Sequence, residues 1–476
     1  FRRRLFRRWR CFDKILELIN MNVLLLDAGS VTQIPLWSMI PFVLMLLMIA
    51  IGPLFAEKWW GKNSHKLTVA LILGVPVAVF MIRNGMMARL EEQLLFDYIP
   101  FVVLLLTLYV VTGGIRLCGS IRPTPEINTE LLALGYVMAS FLGTTGAAML
   151  FIRPLLDINE KRKYKVHTIL FFIALVANCG GLLTPLGDPP LFMLYLRGAS
   201  FGWFMSLFPQ WIFIGLVLLL TYFLVDKFYY SRKEDKSAFE LPETVEPIRI
   251  RGSRNCLLLL IIVAAVAFIN KGFIPQMAEP DAPIWLKYLR EIVLLSVAVL
   301  SYRGTSPRVR FVLNKFSWGP ILEVSVLFLG IFTTMSPALV FMEQHAADLG
   351  LIHPWQFYFA TGSLSYVLDN TPTAVAFYSL ASGLQESVAA ATAGVSPGAF
   401  MGLYFVAGVP EVLLKAISIG AVFFGAMTYI GNGPNLMVKS VAESRGVKMP
   451  SFFTYILKFA LPVLLPLYVL LYFIFF

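Results

Sequence analysis

Two aspartates stand in stretches that otherwise belong in hydrocarbon. Asp188 lies in Thr184-Pro185-Leu186-Gly187-Asp188-Pro189-Pro190, inside an apolar run that begins near Val166. Asp369 lies in Asp369-Asn370-Thr371-Pro372-Thr373, inside the apolar run 357–380. A carboxylate at membrane depth is costly unless it is paired, hydrated or bound to a cation. Neither motif carries a lysine or arginine to pair with it. Desolvation disfavours the charged form of a carboxyl group and a neighbouring cation favours it. A group under both pulls holds either a proton or a sodium ion, which is the simplest device for exchanging one for the other.

Oxygen donors crowd around both aspartates. Thr144 and Thr145 sit in Gly143-Thr144-Thr145-Gly146, and Asn178 and Thr184 precede Asp188. Asn370, Thr371 and Thr373 follow Asp369, and Thr428, Asn432 and Asn435 occupy a fourth polar stretch. Hard cations prefer such oxygens, so a sodium site is expected at Asp188, Asp369, Asn178 and Asn432. Taken singly, Thr and Asn serve equally as hydrogen bonds between helices. Four polar interruptions at related places favour a binding site instead. Glu323, near the start of an apolar run, is either a proton-coupling group beside Asp188 and Asp369 or an interfacial residue. Glu411 and Lys415 are four residues apart and are expected to pair on one helix face. His65, His167, His345 and His353 are expected in surface loops.

The elements that must hold these groups are broken helices. Three prolines and a glycine within 184–190 interrupt backbone hydrogen bonding. The pattern returns late in the chain. Without gaps, Thr184 aligns with Thr428, Gly187 with Gly431, Asp188 with Asn432 and Pro190 with Pro434. A break frees carbonyls for a cation and N-terminal amides for an anion, and matched breaks in two halves mark a transporter's binding site. Composition agrees: of 476 residues, 58% are hydrophobic and 14% charged. Apolar runs recur at about 20 residues, the length that crosses a bilayer as a helix. The net charge of +11 sits in loops between those runs, as the positive-inside tendency expects, and needs no nucleic acid. Four scattered cysteines without a CxxC pair argue against a metal cluster or a disulfide framework.

The expected organisation is a basic interfacial head (1–34), a first repeat (35–226), a hydrophilic cytoplasmic linker (227–254) and a second repeat (255–476). The first repeat holds spans 36–55, 67–82 and 94–111, a re-entrant hairpin 131–152, a broken helix 166–196 and a last span 203–225. The second holds spans 256–269, 286–302 and 321–341, a hairpin 357–380, a broken helix 402–438 and a last span 452–476. A hairpin returns to its own side, so each half crosses five times, and an odd count inverts the second half relative to the first. Five basic loops then share one face, read as the cytoplasm; the arginine-rich head conflicts with that assignment.

Asn178-Cys179-Gly180-Gly181 with 184–190, Leu368-Asp369-Asn370-Thr371-Pro372-Thr373, and Gly431-Asn432-Gly433-Pro434-Asn435 together resemble the ion transporter superfamily. The nearest likeness is to NhaD-type sodium/proton antiporters and the related citrate-transporter (CitMHS-like) group, over nearly the whole chain from about Pro35. The resemblance implies an all-α polytopic protein of the lipid bilayer, in a bacterial inner membrane, usually a homodimer. It implies a scaffold and an elevator-type transport domain that holds both hairpins and both broken helices. In the superfamily's divalent-anion symporters, Ser-Asn-Thr tips bind sodium and carboxylate. Here the first tip is Gly143-Thr144-Thr145-Gly146 and the second carries Asp369, whose charge would repel citrate. The expectation is sodium/proton antiport through Asp188 and Asp369, with no cofactor beyond the ions. The alternative is sodium-coupled uptake of citrate or another carboxylate. An intramembrane aspartyl protease is disfavoured, because Pro185 stands where the first glycine of Gly-x-Gly-Asp belongs.

Overall fold

In the computed structural model, which describes residues 33–240, 247–392 and 404–476, the chain is a bundle of helices with two small antiparallel β pairings. The basic head up to residue 32 lies outside the described residues. A tight turn at Leu36–Met39 leads into α1 (Ile40–Phe55), followed by α2 (Asn63–Arg83) and α3 (Ile99–Thr112). The helix widens over Glu92–Tyr98 on its way into α3. Pro100 follows in the next turn, and its missing N–H cannot meet the carbonyl one turn back.

Helix α2 shows how the sequence sorts its faces. Ala70, Gly74, Val77 and Met81, at helical spacing, are buried, whereas Leu71, Ile72, Val75 and Val79 are exposed. Lipid tails are as apolar as these side chains, so the exposed face carries no penalty in a bilayer. Seven described helices are long and apolar enough to cross one: Leu36–Pro53, Asn63–Arg83, Met87–Thr112, Val166–Leu183, Phe208–Lys233, Gly319–Gln344 and Phe452–Phe475. Arg254–Phe268 is apolar but shorter, and several other apolar runs are interrupted.

Those interruptions come next in the chain. Helices α4 (Pro125–Leu142) and α5 (Thr144–Ile158) meet at Gly143, whose φ of 75° makes the reversal in one residue, a conformation that favours glycine. Helix α6 (Val166–Leu175) gives way to a tight turn at Cys179–Leu183, and the chain restarts as α7 (Pro189–Leu196). Helix α8 (Phe208–Val225) follows, then α9 (Arg254–Phe268), α10 (Leu289–Gly304) and α11 (Gly319–Gln344). A second reversal separates α12 (Pro354–Ser365) from α13 (Asn370–Thr392). Helix α14 (Glu411–Phe424) breaks at Gly425–Met427 and restarts as α15 (Gly433–Ser444); α16 (Leu465–Phe475) ends the chain.

The interior is made by the interrupted elements. Helix α7 packs on α13 and α15 packs on α5, so each restart lies against the hairpin from the other part of the chain. Helices α1, α2 and α11 pack together, as do α3, α9 and α10.

Two expectations need correction. The second broken segment starts at Glu411, not at 402: Phe405–Val406 and Val409–Pro410 pair as a short hairpin (β3 and β4), while 401–403 lie outside the described residues. The Glu411–Lys415 ion pair does form, at 3.0 Å. His65 and His167 lie in helices rather than loops, and His167 is buried, with Nε2 3.0 Å from Asp226. The expected linker 227–254 packs on the rest of the chain where it is described. Arg162 ties Asp226 (2.5 Å) and Glu234 (3.2 Å) in a buried cluster, and Arg249–Arg251 (β2) pairs with Arg116–Cys118 (β1).

Candidate functional site

Four helices begin at one place. Thr144 opens α5 and Asn370 opens α13; Asp188 immediately precedes α7 and Asn432 immediately precedes α15. The local reason is the same at both breaks. Asp188 (φ −144°, ψ 142°) and Asn432 (φ −151°, ψ 139°) are extended, and prolines occupy the first turn of the helix behind each. A first-turn proline gives up an N–H that would find no partner there. Neither side chain caps its own helix, so both are free to face the centre.

There they meet. The fully buried Asp188 carboxylate accepts hydrogen bonds at Oδ1 from the Thr144 hydroxyl (2.6 Å) and Asn432 Nδ2 (3.0 Å), and at Oδ2 from Asn370 Nδ2 (2.6 Å). None of the ion pairs among the described residues includes Asp188. What faces its charge is neutral donors and helix N-termini, each worth roughly half a positive charge. Asn432 Nδ2 also lies 3.2 Å from Asn178 Oδ1. Asn178 Nδ2 donates to Asn435 Oδ1 (2.7 Å), and Asn435 Nδ2 donates to the carbonyls of Gly425 (2.8 Å) and Thr428 (2.9 Å). Asn178, Asp188, Asn432 and Asn435 thus form one chain of hydrogen bonds that stitches the two breaks together.

The two threonines do a different task. Thr184 donates to the Ser140 carbonyl, and Thr428 donates to the Tyr366 carbonyl at 2.5 Å. Each hydroxyl also receives a backbone N–H two residues on, from Leu186 (3.2 Å) and Ile430 (3.3 Å). Each therefore pins a break to a hairpin tip. Glycines allow the close approach: a Cβ on Gly187 would stand 2.0 Å from the Gly181 carbonyl oxygen, and one on Gly431 2.7 Å from that of Gly425.

Not every expected residue joins the centre. Asp369 is partly exposed, and its carboxylate accepts the Thr371 N–H (2.9 Å) while its carbonyl accepts the Thr373 hydroxyl (2.9 Å). These three shape the second tip. Thr371 also reaches Asn370 Oδ1 at 3.4 Å. Thr145, half-buried, faces a cavity of about 70 Å3 that Thr144 and Asp188 also border. Glu323 stands apart, 2.6 Å from the buried Lys66 ammonium. Sequence reasoning missed Ser140 and Ser365. Ser140 Oγ donates to the Gly180 carbonyl (2.5 Å) and Ser365 Oγ to that of Ala421 (2.6 Å), holding each hairpin on the helix that breaks beside it. The only signal was position, each lying four or five residues before a tip residue.

A lipid-facing helical bundle whose interior gathers two interrupted helices and two hairpin tips on one carboxylate has the architecture of a membrane transporter. A family model described as "Putative citrate transport" (CitMHS_2) matches residues 31–476, and the chain belongs to that family. It is also similar to the "Uncharacterized transporter slr0753" of the cyanobacterium Synechocystis sp., 23% identical over 419 residues, covering 83% of this chain and 82% of that protein.

Proposed function

We propose that the protein is a secondary active transporter in which Asp188 alternates between a proton and a sodium ion, and that sodium/proton exchange is its primary activity. One observation carries this reading: a fully buried carboxylate whose partners are a hydroxyl and two carboxamides. A carboxamide turned half over presents an oxygen in place of its NH2. The same three side chains can therefore donate to a bare carboxylate or help ligate a cation beside it. The four helix N-termini keep the charged form accessible in a buried place. The matched geometry of Thr184–Asp188 and Thr428–Asn432 supports two inverted repeats. The packing of α4–α7 and α12–α15 into one interior body supports an elevator-type movement of that body past α3, α10 and α11.

A second reading keeps this ion centre and couples it to uptake of citrate or a similar carboxylate. The family's description and the convergence of helix N-termini, which bind anions, favour it. Purified protein in vesicles tests both. Sodium-driven proton movement that is lost in Asp188→Asn and weakened in Asp369→Asn supports exchange; Asp188→Asn exchanging at the wild-type rate sinks it. Labelled citrate accumulating under a sodium gradient, and no exchange without it, moves the assignment to the second reading.

A further inference from the structure

Three cavities lie in line along the seam between α3 and α5. The innermost, about 70 Å3, is bounded by Leu108 and Tyr109 of α3, by Thr144 and Thr145 of α5, and by Asp188. The next, about 10 Å3, lies among Tyr109, Thr112, Met149, Arg153, Asn314 and Phe316. The third, about 340 Å3, is a charged mouth bordered by Arg116, Cys118, Pro154, Asp157, Glu160 and Glu240. On the α5 side the bordering residues run 145, 149, 153, 157, one helical turn per step; on the other side they run 108, 109, 112, 116. The cavities are therefore consecutive stages along the same pair of segments.

The middle stage is a waist. A volume of about 10 Å3 sits at the threshold for one water molecule, roughly 10–15 Å3. Tyr109 borders both the inner chamber and the waist, its hydroxyl donates to the Ser317 carbonyl (2.8 Å), and its ring packs on Phe316 with centroids 5.1 Å apart. The helices also touch closely beside it: a Cβ on Gly146 would lie 2.9 Å from Thr112 Cγ2. Arg153 makes no ion pair among the described residues. Asp157, one turn further on, is engaged by Arg116 (2.7 Å) and Arg445 (3.1 Å) instead.

We propose that this seam is the route between Asp188 and the face that carries Arg116 and Glu240, with Tyr109 as its constriction. The proposal rests on Asp188 marking the transport site. Thiol labelling of the full chain in vesicles tests it. The native cysteines are replaced, then Cys118, Met149→Cys or Thr145→Cys is present alone. Membrane-impermeant methanethiosulfonates, one anionic and one cationic, are applied to either face. All three positions are expected to react from the same face, fastest at Cys118 and slowest at Thr145→Cys. Tyr109→Ala should speed labelling at Thr145→Cys several-fold and leave Cys118 unchanged, which also reports that the variant is folded. Labelling of Met149→Cys from the opposite face, or a Tyr109→Ala variant without effect, overturns the route. Labelling needs no sodium gradient, so its failure leaves the ion reading of Asp188 standing, and loss of exchange alone leaves the route standing.

Discussion

At the scale of single residues, the site depends on which atom of each amide points where. Asp188→Asn keeps the shape but puts an NH2 where a carboxylate oxygen met Asn370 Nδ2 or Asn432 Nδ2. One facing amide must turn over, or a buried donor goes unmet at a cost of about 1–3 kcal/mol. The variant should therefore purify as a folded protein with a lowered melting temperature while ion-driven transport disappears. A variant too unstable to purify would contradict that expectation. Asn435 is a purer structural test. Asn435→Leu removes the donor to the Gly425 and Thr428 carbonyls and the acceptor of Asn178. It should destabilise by about 1–3 kcal/mol in a thermal or denaturant melt. Asp188, Asn432 and Asn178 were legible in the sequence because a polar group amid apolar residues announces itself. Asp369 announced itself equally, yet its carboxylate closes its own turn. Glu323, read as either a proton-coupling or an interfacial group, pairs with Lys66. Nothing local distinguishes those cases, since the partner comes from elsewhere in the chain.

At the scale of elements, the breaks were readable from proline and glycine, because those residues act through their own backbone. The start of the second break was not, since an apolar run does not show where a two-residue strand pairing replaces a helix. The two breaks are also unequal in a way that a melt can measure. Gly187→Ala places a Cβ 2.0 Å from the Gly181 carbonyl oxygen, whereas Gly431→Ala places one 2.7 Å from that of Gly425. Both must push the strands of the break apart, and the first must push further. Gly187→Ala should give the larger loss of folded, monodisperse protein, and the reverse order would show that the breaks are looser than their geometry. The linker offers a third element-level case. Arg162, fully buried, holds Asp226 and Glu234. Arg162→Ala leaves a buried carboxylate without its cation, a loss of about 3–5 kcal/mol. Detergent-solubilised protein should melt well below wild type, although the residue is far from Asp188 in sequence.

At the scale of the whole molecule, alternating access needs one body to move past another, and the seam between α3 and α5 is where such motion would show. Helix α5 carries Thr144, which donates to Asp188, so in the proposed elevator-type movement the two would travel together. Helix α3 packs on α10 and belongs to the surrounding layer. They come close where a Cβ on Gly146 would lie 2.9 Å from Thr112 Cγ2. A disulfide holds its two Cβ atoms about 3.5–4.5 Å apart, and here Thr112 Cγ2 marks where a cysteine sulfur would sit. The pair Thr112→Cys with Gly146→Cys should therefore crosslink under mild oxidation. If the bodies slide, the oxidised protein should stop transporting and recover on reduction, while each single variant keeps its own rate in either redox state. Crosslinked protein that transports at the reduced rate would mean that α3 and α5 never part, and movement would have to be sought inside the interior body, at the hairpin tips themselves. The experiment separates the two because Thr112 and Gly146 donate nothing to the Asp188 carboxylate, so a loss on oxidation reads motion and not ligation.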